Sequence, residues 1–209
     1  MAIKAGADYL KRQLSDREAV RVCEASMAAI RRIAHNHSAG AHVRNDGFFD
    51  SVQDDRSAAA ELVEGMLRVA QREFQERKVD LFGNIAGNIP FQPGIDRSQA
   101  ATLLRLGERL SYRQLCFLQL VRSGQSHTAQ HPTYVFGTSV PDDASLLLVE
   151  VNELISVGLV NAILQYSPTV LAFQGSGMTE AASLLCSVMN LEEIPEPALE
   201  TVTQVLKRH

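Results

Sequence analysis

Residues 142–179 read DDASLLLVEVNELISVGLVNAILQYSPTVLAFQGSGMT, and the class of the fold turns on them. Asp142 or Asp143 can cap a helix that is apolar on most sides through Leu146, Leu147, Leu148, Val149, Val151, Leu154, Ile155 and Val157. Such a helix is either central to a core or turned toward a partner. Gly158 ends it, as a glycine in the left-handed C-terminal position does. Residues 159–164 and 169–173 then read as two short strands, joined by Tyr166-Ser167-Pro168 with Tyr166 at the tip. Gly175-Ser176-Gly177 reads as a turn, and Thr179 caps a helix with Ala182, Leu185, Cys186 and Met189 on its core side.

Working upstream, Ser111-Tyr112-Arg113-Gln114 has the form of a capping box, in which the serine and the Gln side chain satisfy each other's backbone N–H. It opens a helix with Leu115, Leu118 and Val121 on one face, followed by a polar linker over 123–141. Helix, linker, apolar helix, hairpin, capped helix is the order of a winged-helix-like unit with one small β-hairpin. An amphipathic helix over 197–208 closes the chain through Leu199, Val202, Val205 and Leu206.

The first half reads as helical throughout. Ser15 with Glu18 forms another capping box, and Val20, Cys23, Met27, Ile30 and Ala34 recur at steps of three and four to about His35. That stripe is expected to face the core. A loop over 36–53 follows, with Phe48 and Phe49 tucked against the core. Asp54 or Asp55 is expected to cap a second helix through about 77, buried along Ala59, Leu62, Met66 and Val69 and at Glu73 or Phe74. Its outer side, with Arg68, Arg72, Glu73, Glu76, Arg77 and Lys78, reads as a solvated mixed-charge face. The two helices form a long hairpin, and their spacing is also compatible with a coiled coil between two copies over 16–35 and 54–78. Gly83 and Gly87 lie four apart on a short helix, as close helix–helix packing requires; a phosphate loop would need a preceding strand and a trailing Lys-Ser or Lys-Thr. Asp96 with Gln99 opens the next helix, whose core side is Ala100, Leu103, Leu104, Leu106 and Leu110. The expected fold is therefore mainly α, with a helical domain over 1–110 and a winged-helix-like domain with C-terminal helices over 111–209.

Of the 209 residues, the first 122 hold 18 Lys and Arg against 15 Asp and Glu. Residues 123–206 hold no Lys or Arg and nine acidic residues. Phosphate neutralisation carries non-specific nucleic-acid binding, so the second half is a poor surface for it. The helix over 142–157, which would be the recognition helix of a winged helix, is itself acidic. No apolar run is long enough to cross a membrane, and MAIKAGADYLKRQ has no signal-peptide core. Three widely spaced cysteines argue against a disulfide framework and fit a reducing cytoplasm.

The order KVDLFGNIAGNIPFQPGIDRSQAATLLRLGERLSYRQLCFLQLV, then ELISVGLV, then GMTEAASLLCSVM, resembles Abi-alpha-type bacterial abortive-infection proteins over about 78–190. The resemblance implies a helical segment leading to a winged-helix-like tail and a role around phage defence. Where that family restarts with Thr-x-x-Gly, this chain has Met178-Thr179-Glu180-Ala181-Ala182. The resemblance carries over no functional residue.

Candidate chemistry is sparse. His35, His37 and His42 with Asp46 and Asp50 offer imidazole and carboxylate ligands, but at no compact metal spacing. His127 and His131 are four apart without the Glu that a zinc protease needs. Cys23, Cys116 and Cys186 fall on apolar helix faces, and Ser176 in Gly-Ser-Gly lacks the nucleophile-elbow pattern. The adjacent carboxylates Asp54-Asp55 and Glu192-Glu193 point apart. No metal or cofactor is expected, and no catalytic residue. The reading is a non-enzymatic interaction or regulatory protein with a protein partner, whose contact residues are Glu150, Glu153, Tyr166, Phe48 and Phe49. The alternative is a transcription regulator or nucleic-acid binder acting through Arg31, Arg32 and Arg44 in the Arg-bearing first half.

Overall fold

A computed structural model describes residues 15–51, 56–124, 134–135, 142–167 and 170–207. The described chain is mainly helical with one small antiparallel sheet, and no described helix is long and apolar enough to cross a membrane. It divides into two compact units, Met1–Leu110 with Val188–Asn190, and Ser111–Ser187 with Leu191–His209.

In the first unit, α1 spans Asp16–Ser38 and opens with the Ser15–Glu18 capping box. α2 spans Ala58–Arg72. Its cap is Ser57, whose hydroxyl accepts from Ala60 N, in place of the expected Asp54 or Asp55, which lie outside the described residues. α2 stops at Arg72 rather than running to 77, because Glu73 turns to an extended conformation. A single 3₁₀ turn, Glu76–Lys78, leads into α3, Val79–Asn88; α4 spans Arg97–Arg109 behind the Asp96–Gln99 capping box.

That early stop corrects the expected solvated face. Glu73 and Lys78 are buried and form an ion pair at 2.6 Å. The Lys78 ammonium also donates to Glu108 O at 2.9 Å and lies 5.3 Å from the Phe82 ring centre. Two charges withdrawn from water need such close pairing and further hydrogen bonds to offset their desolvation. Phe74, the alternative to Glu73 as a buried residue, is 80% exposed.

α3 is buried along nearly its whole length, and α1 packs on it at very short range. A Cβ on Gly83 would stand 2.2 Å from Ala25 O and 2.6 Å from Ala28 Cβ. On Gly87 it would stand 2.6 Å from Arg32 Cβ and 2.8 Å from Ala29 O. The face of α1 turned inward is therefore Ala25, Ala28, Ala29 and Arg32, all buried. Asn36 donates to Gly87 O and Asn88 Oδ1 at 3.3 and 2.9 Å. Asn84 and Asn88 donate in turn to Met189 O and Val188 O at 3.1 and 2.9 Å, satisfying carbonyls that a helix end leaves without partners.

In the second unit, α5 is Tyr112–Arg122, capped by the Ser111–Gln114 box, and α6 is Asp142–Ser156. α7, Glu180–Met189, is capped by Thr179, whose hydroxyl accepts from Ala182 N at 3.3 Å. α8 is Glu196–Lys207. The sheet holds β1 (Tyr134–Val135), β2 (Val160–Ser167) and β3 (Val170–Met178) in the order β1-β3-β2, all antiparallel. The hairpin is longer than expected. Gly175-Ser176-Gly177 continues β3 instead of turning, since Gly177 pairs with Asn161 and Met178 with Val160 beyond a register shift at Asn161/Ile163. β1 falls in the stretch read as a plain linker. Gly158, at φ +73°, takes the left-handed turn expected of it.

Gly83→Ala and Gly87→Ala are each expected to lower stability by about 3 kcal/mol, because their contacts include backbone atoms that cannot move aside cheaply. Gly94→Ala, with nothing within 4 Å of its added Cβ, is expected to stay within about 1 kcal/mol of wild type. Denaturant melts of the three variants test the difference.

Candidate functional site

The short approach of α1 to α3 fixes which side of α1 meets solvent. The stripe expected to face the core faces outward instead. Val20 is 54% exposed, Met27 47% and Ile30 59%, and Cys23 and Ala34 are exposed as well. Ile33, 41% exposed, flanks the stripe. The physical reason is size: three alanines and the stem of Arg32 let the helix axes come within reach of the two glycines, so the larger apolar residues turn away. The polar flank carries Glu24 and Arg31, both exposed; Arg31 lies 3.4 Å from Asp80 in an exposed ion pair.

The residues proposed from sequence lie in other settings. Phe48 is buried, beneath the Arg44 guanidinium at 4.2 Å, while Phe49 is 45% exposed and edge-on to Phe48. Glu150 Oε1 accepts from the Ser111 hydroxyl at 3.0 Å and Oε2 from Arg113 Nε at 2.5 Å. Glu153 accepts from the buried Gln114 amide at 3.1 Å, and the same amide donates to Glu150 O at 3.0 Å. Both carboxylates thus hold α6 against the start of α5. Tyr166 pairs with Leu171 near the end of β2; its side chain lies outside the described residues. On α6, Leu147, Val151 and Leu154 are buried, whereas Leu146 and Val149 are 59% and 65% exposed.

Of the arginines named for nucleic acid, Arg31 is exposed, and Arg32 and Arg44 are buried. Arg44 grips Asp46 with two nitrogens, at 2.7 and 2.5 Å, and donates to Gln92 O and Ile95 O at 3.0 and 2.6 Å. It ties the loop after α1 to the turn before α4. The Arg44 guanidinium holds the Asp46 carboxyl below its ordinary range, and the Ser15 hydroxyl does the same for Glu18. A groove of about 350 Å³ between α2 and α4 brings Arg68, Arg72, Arg97 and Arg105 around Leu62, Val69 and Leu104. Arg97 pairs with Glu61 at 3.4 Å. Spacing along single helices did not reveal this cluster, since its members come from two elements.

His35, His37 and His42 are exposed, and no group of three or more metal-binding side chains gathers among the described residues. His127 and His131 lie outside them. Cys116 and Cys186 are buried, and burial pushes the Cys186 thiol up to about 12, far from thiolate chemistry. Ser176 sits within β3. No family model, curated protein or solved structure matches the chain.

Two measurements follow from these contacts. Glu150→Ala is expected to cost about 2 kcal/mol by leaving the Ser111 and Arg113 donors short of an acceptor, read as a lowered melting midpoint. The lowered carboxyls of Asp46 and Glu18 add stability above their unfolded-state values near 4, and that stability is lost as pH falls through their lower folded values. An Asp46→Asn/Glu18→Gln variant is expected to show a flatter acid limb in melting temperature against pH.

Proposed function

We propose that this chain is a non-enzymatic interaction or regulatory protein whose contact surface is the outward stripe of α1. The observation that carries this reading is that Val20, Met27 and Ile30 lie about half exposed in one row on a helix of 23 residues. Scattered apolar residues on a surface are ordinary, but a continuous apolar row marks a contact site. The engaged state of Glu150 and Glu153 and the burial of Cys116 and Cys186 support a structural use of these groups over catalysis.

In this reading the second unit is winged-helix-like, supported by α5, β1, α6 and the β2–β3 hairpin in sheet order β1-β3-β2. It serves as scaffold or protein contact, in keeping with the absence of Lys and Arg from 123–206. The resemblance over 78–190 supports a role in bacterial phage defence, carried out in the cytoplasm.

The test is a tagged pull-down from source cells, with and without nuclease, comparing wild type with Met27→Asp. The expected result is a protein partner, which includes a differently tagged copy of the chain itself, retained after nuclease and lost in the folded variant. Partners that vanish with nuclease in the wild type would replace this reading with the nucleic-acid one.

A further inference from the structure

We propose that the occupant of this face is a second copy of the chain, with the two α1 helices antiparallel and Met27 of one opposite Ile30 of the other. The inference rests on the interaction-protein reading and names its partner. Val20, Cys23, Met27, Ile30, Ala34 and His37 alternate by three and four, the 3.5-residue mean of a coiled-coil seam, and all six are exposed. α1 is one unbroken helix across them, about 26 Å at 1.5 Å per residue. Its opposite face is already occupied by α3, so the two roles do not compete.

The flanking charges choose orientation and register. One flank of the seam holds Arg17, Glu24, Arg31 and Ser38; the other holds Ala19, Ser26 and Ile33. In a parallel pair the two flanks meet each other, setting Ser26 against Arg31 and Ala19 against Glu24, with no ion pair. In an antiparallel pair each flank meets itself. With Met27 opposite Ile30, Glu24 of each copy stands beside Arg31 of the other, twice by symmetry. Sliding by one heptad in one direction sets Glu24 against Glu24 and Arg17 against Arg31; in the other it sets Arg31 against Arg31. Both are like-charge contacts that disfavour the register. The matched register also uses the whole stripe, pairing Cys23 with Ala34 and Val20 with His37 at the wetter ends. Arg31 gives up only an exposed contact to Asp80, which contributes little. A ribbon about 26 Å by 10 Å is smaller than the roughly 800 Å² per partner of a standard stable interface, so the dimer forms reversibly with concentration.

Cys23 supplies the test, because the chain's other cysteines are buried. In the proposed pair the two Cys23 residues are offset along the seam by about 16 Å, beyond the roughly 7 Å reach of a disulfide. Wild type under a mild oxidant is therefore expected to stay uncross-linked, although sedimentation shows twice the chain mass at rising concentration. Ala34→Cys is expected to cross-link into a dimer through Cys23, and Ala34→Cys/Cys23→Ser is expected not to. Glu24→Arg is expected to lose the cross-linked dimer in the Ala34→Cys background, and adding Arg31→Glu to restore it. Rapid cross-linking of wild type through Cys23 would overturn the antiparallel register. A monomer at every concentration, with unchanged helicity, would overturn the homodimer; a nuclease-resistant foreign partner lost in Met27→Asp would then leave the interaction reading standing alone.

Discussion

The contact on which the first unit depends is the approach of α1 to α3 across Gly83 and Gly87. It admits no side chain at Gly83 or Gly87, since Ala25 O, Ala29 N and Ala29 O of α1 already stand where their Cβ atoms would be. Close backbone approach excludes side-chain volume, and volume excluded on one face must be carried on another. Val20, Met27 and Ile30 are outside for that reason. The exposed apolar stripe is the complement of the packing surface and needs no further device to expose it.

Buried polar groups then lock the neighbourhood of that contact. The Lys78–Glu73 pair sits where the chain leaves α2 for α3, and the Lys78 ammonium reaches back to a carbonyl of α4. Arg44 joins the loop after α1 to the turn before α4 through a carboxylate and backbone carbonyls. Each such group is expensive to bury and more expensive to leave short of partners, so each fixes one geometry of its segment. The second unit uses the same principle with lighter groups. Gln114 caps its own helix and also binds Glu150 O and Glu153, so the start of α5 and the middle of α6 share one hydrogen-bonded network.

The stripe of α1 leaves Val20, Met27 and Ile30 about half exposed, whereas Arg32 and Arg44 of the same unit are buried. Leu146 and Val149 on α6 show the same half-exposed character in the second unit. The groove between α2 and α4 gathers four arginines, of which Arg97 is held by Glu61 and Arg68 by Glu64.

Local signals were legible in the sequence. The capping boxes at Ser15, Asp96 and Ser111, the Thr179 cap, the glycine stop at 158 and the tight packing at Gly83 and Gly87 follow from hydrogen-bond geometry within a few residues. Periodicity gave the stripe on α1 but not its direction. A row of apolar residues at helical spacing says that something covers it, and the sequence carried two such faces, one large and one small. Only tertiary packing decided between them, because the choice depends on glycines 58 residues away from Ala25 and not on the helix itself. The same holds for Lys78, which reads as solvated, and for Glu73, which the spacing sets on both faces; they become a buried pair only when a helix ends early and folds back. The sequence by itself determined where the helices behind the Ser15, Asp96, Ser111 and Thr179 caps begin and what charge each half carries. The tertiary structure decided which faces are buried and which stay exposed, since burial is settled by the shape of the neighbour and not by the residue alone.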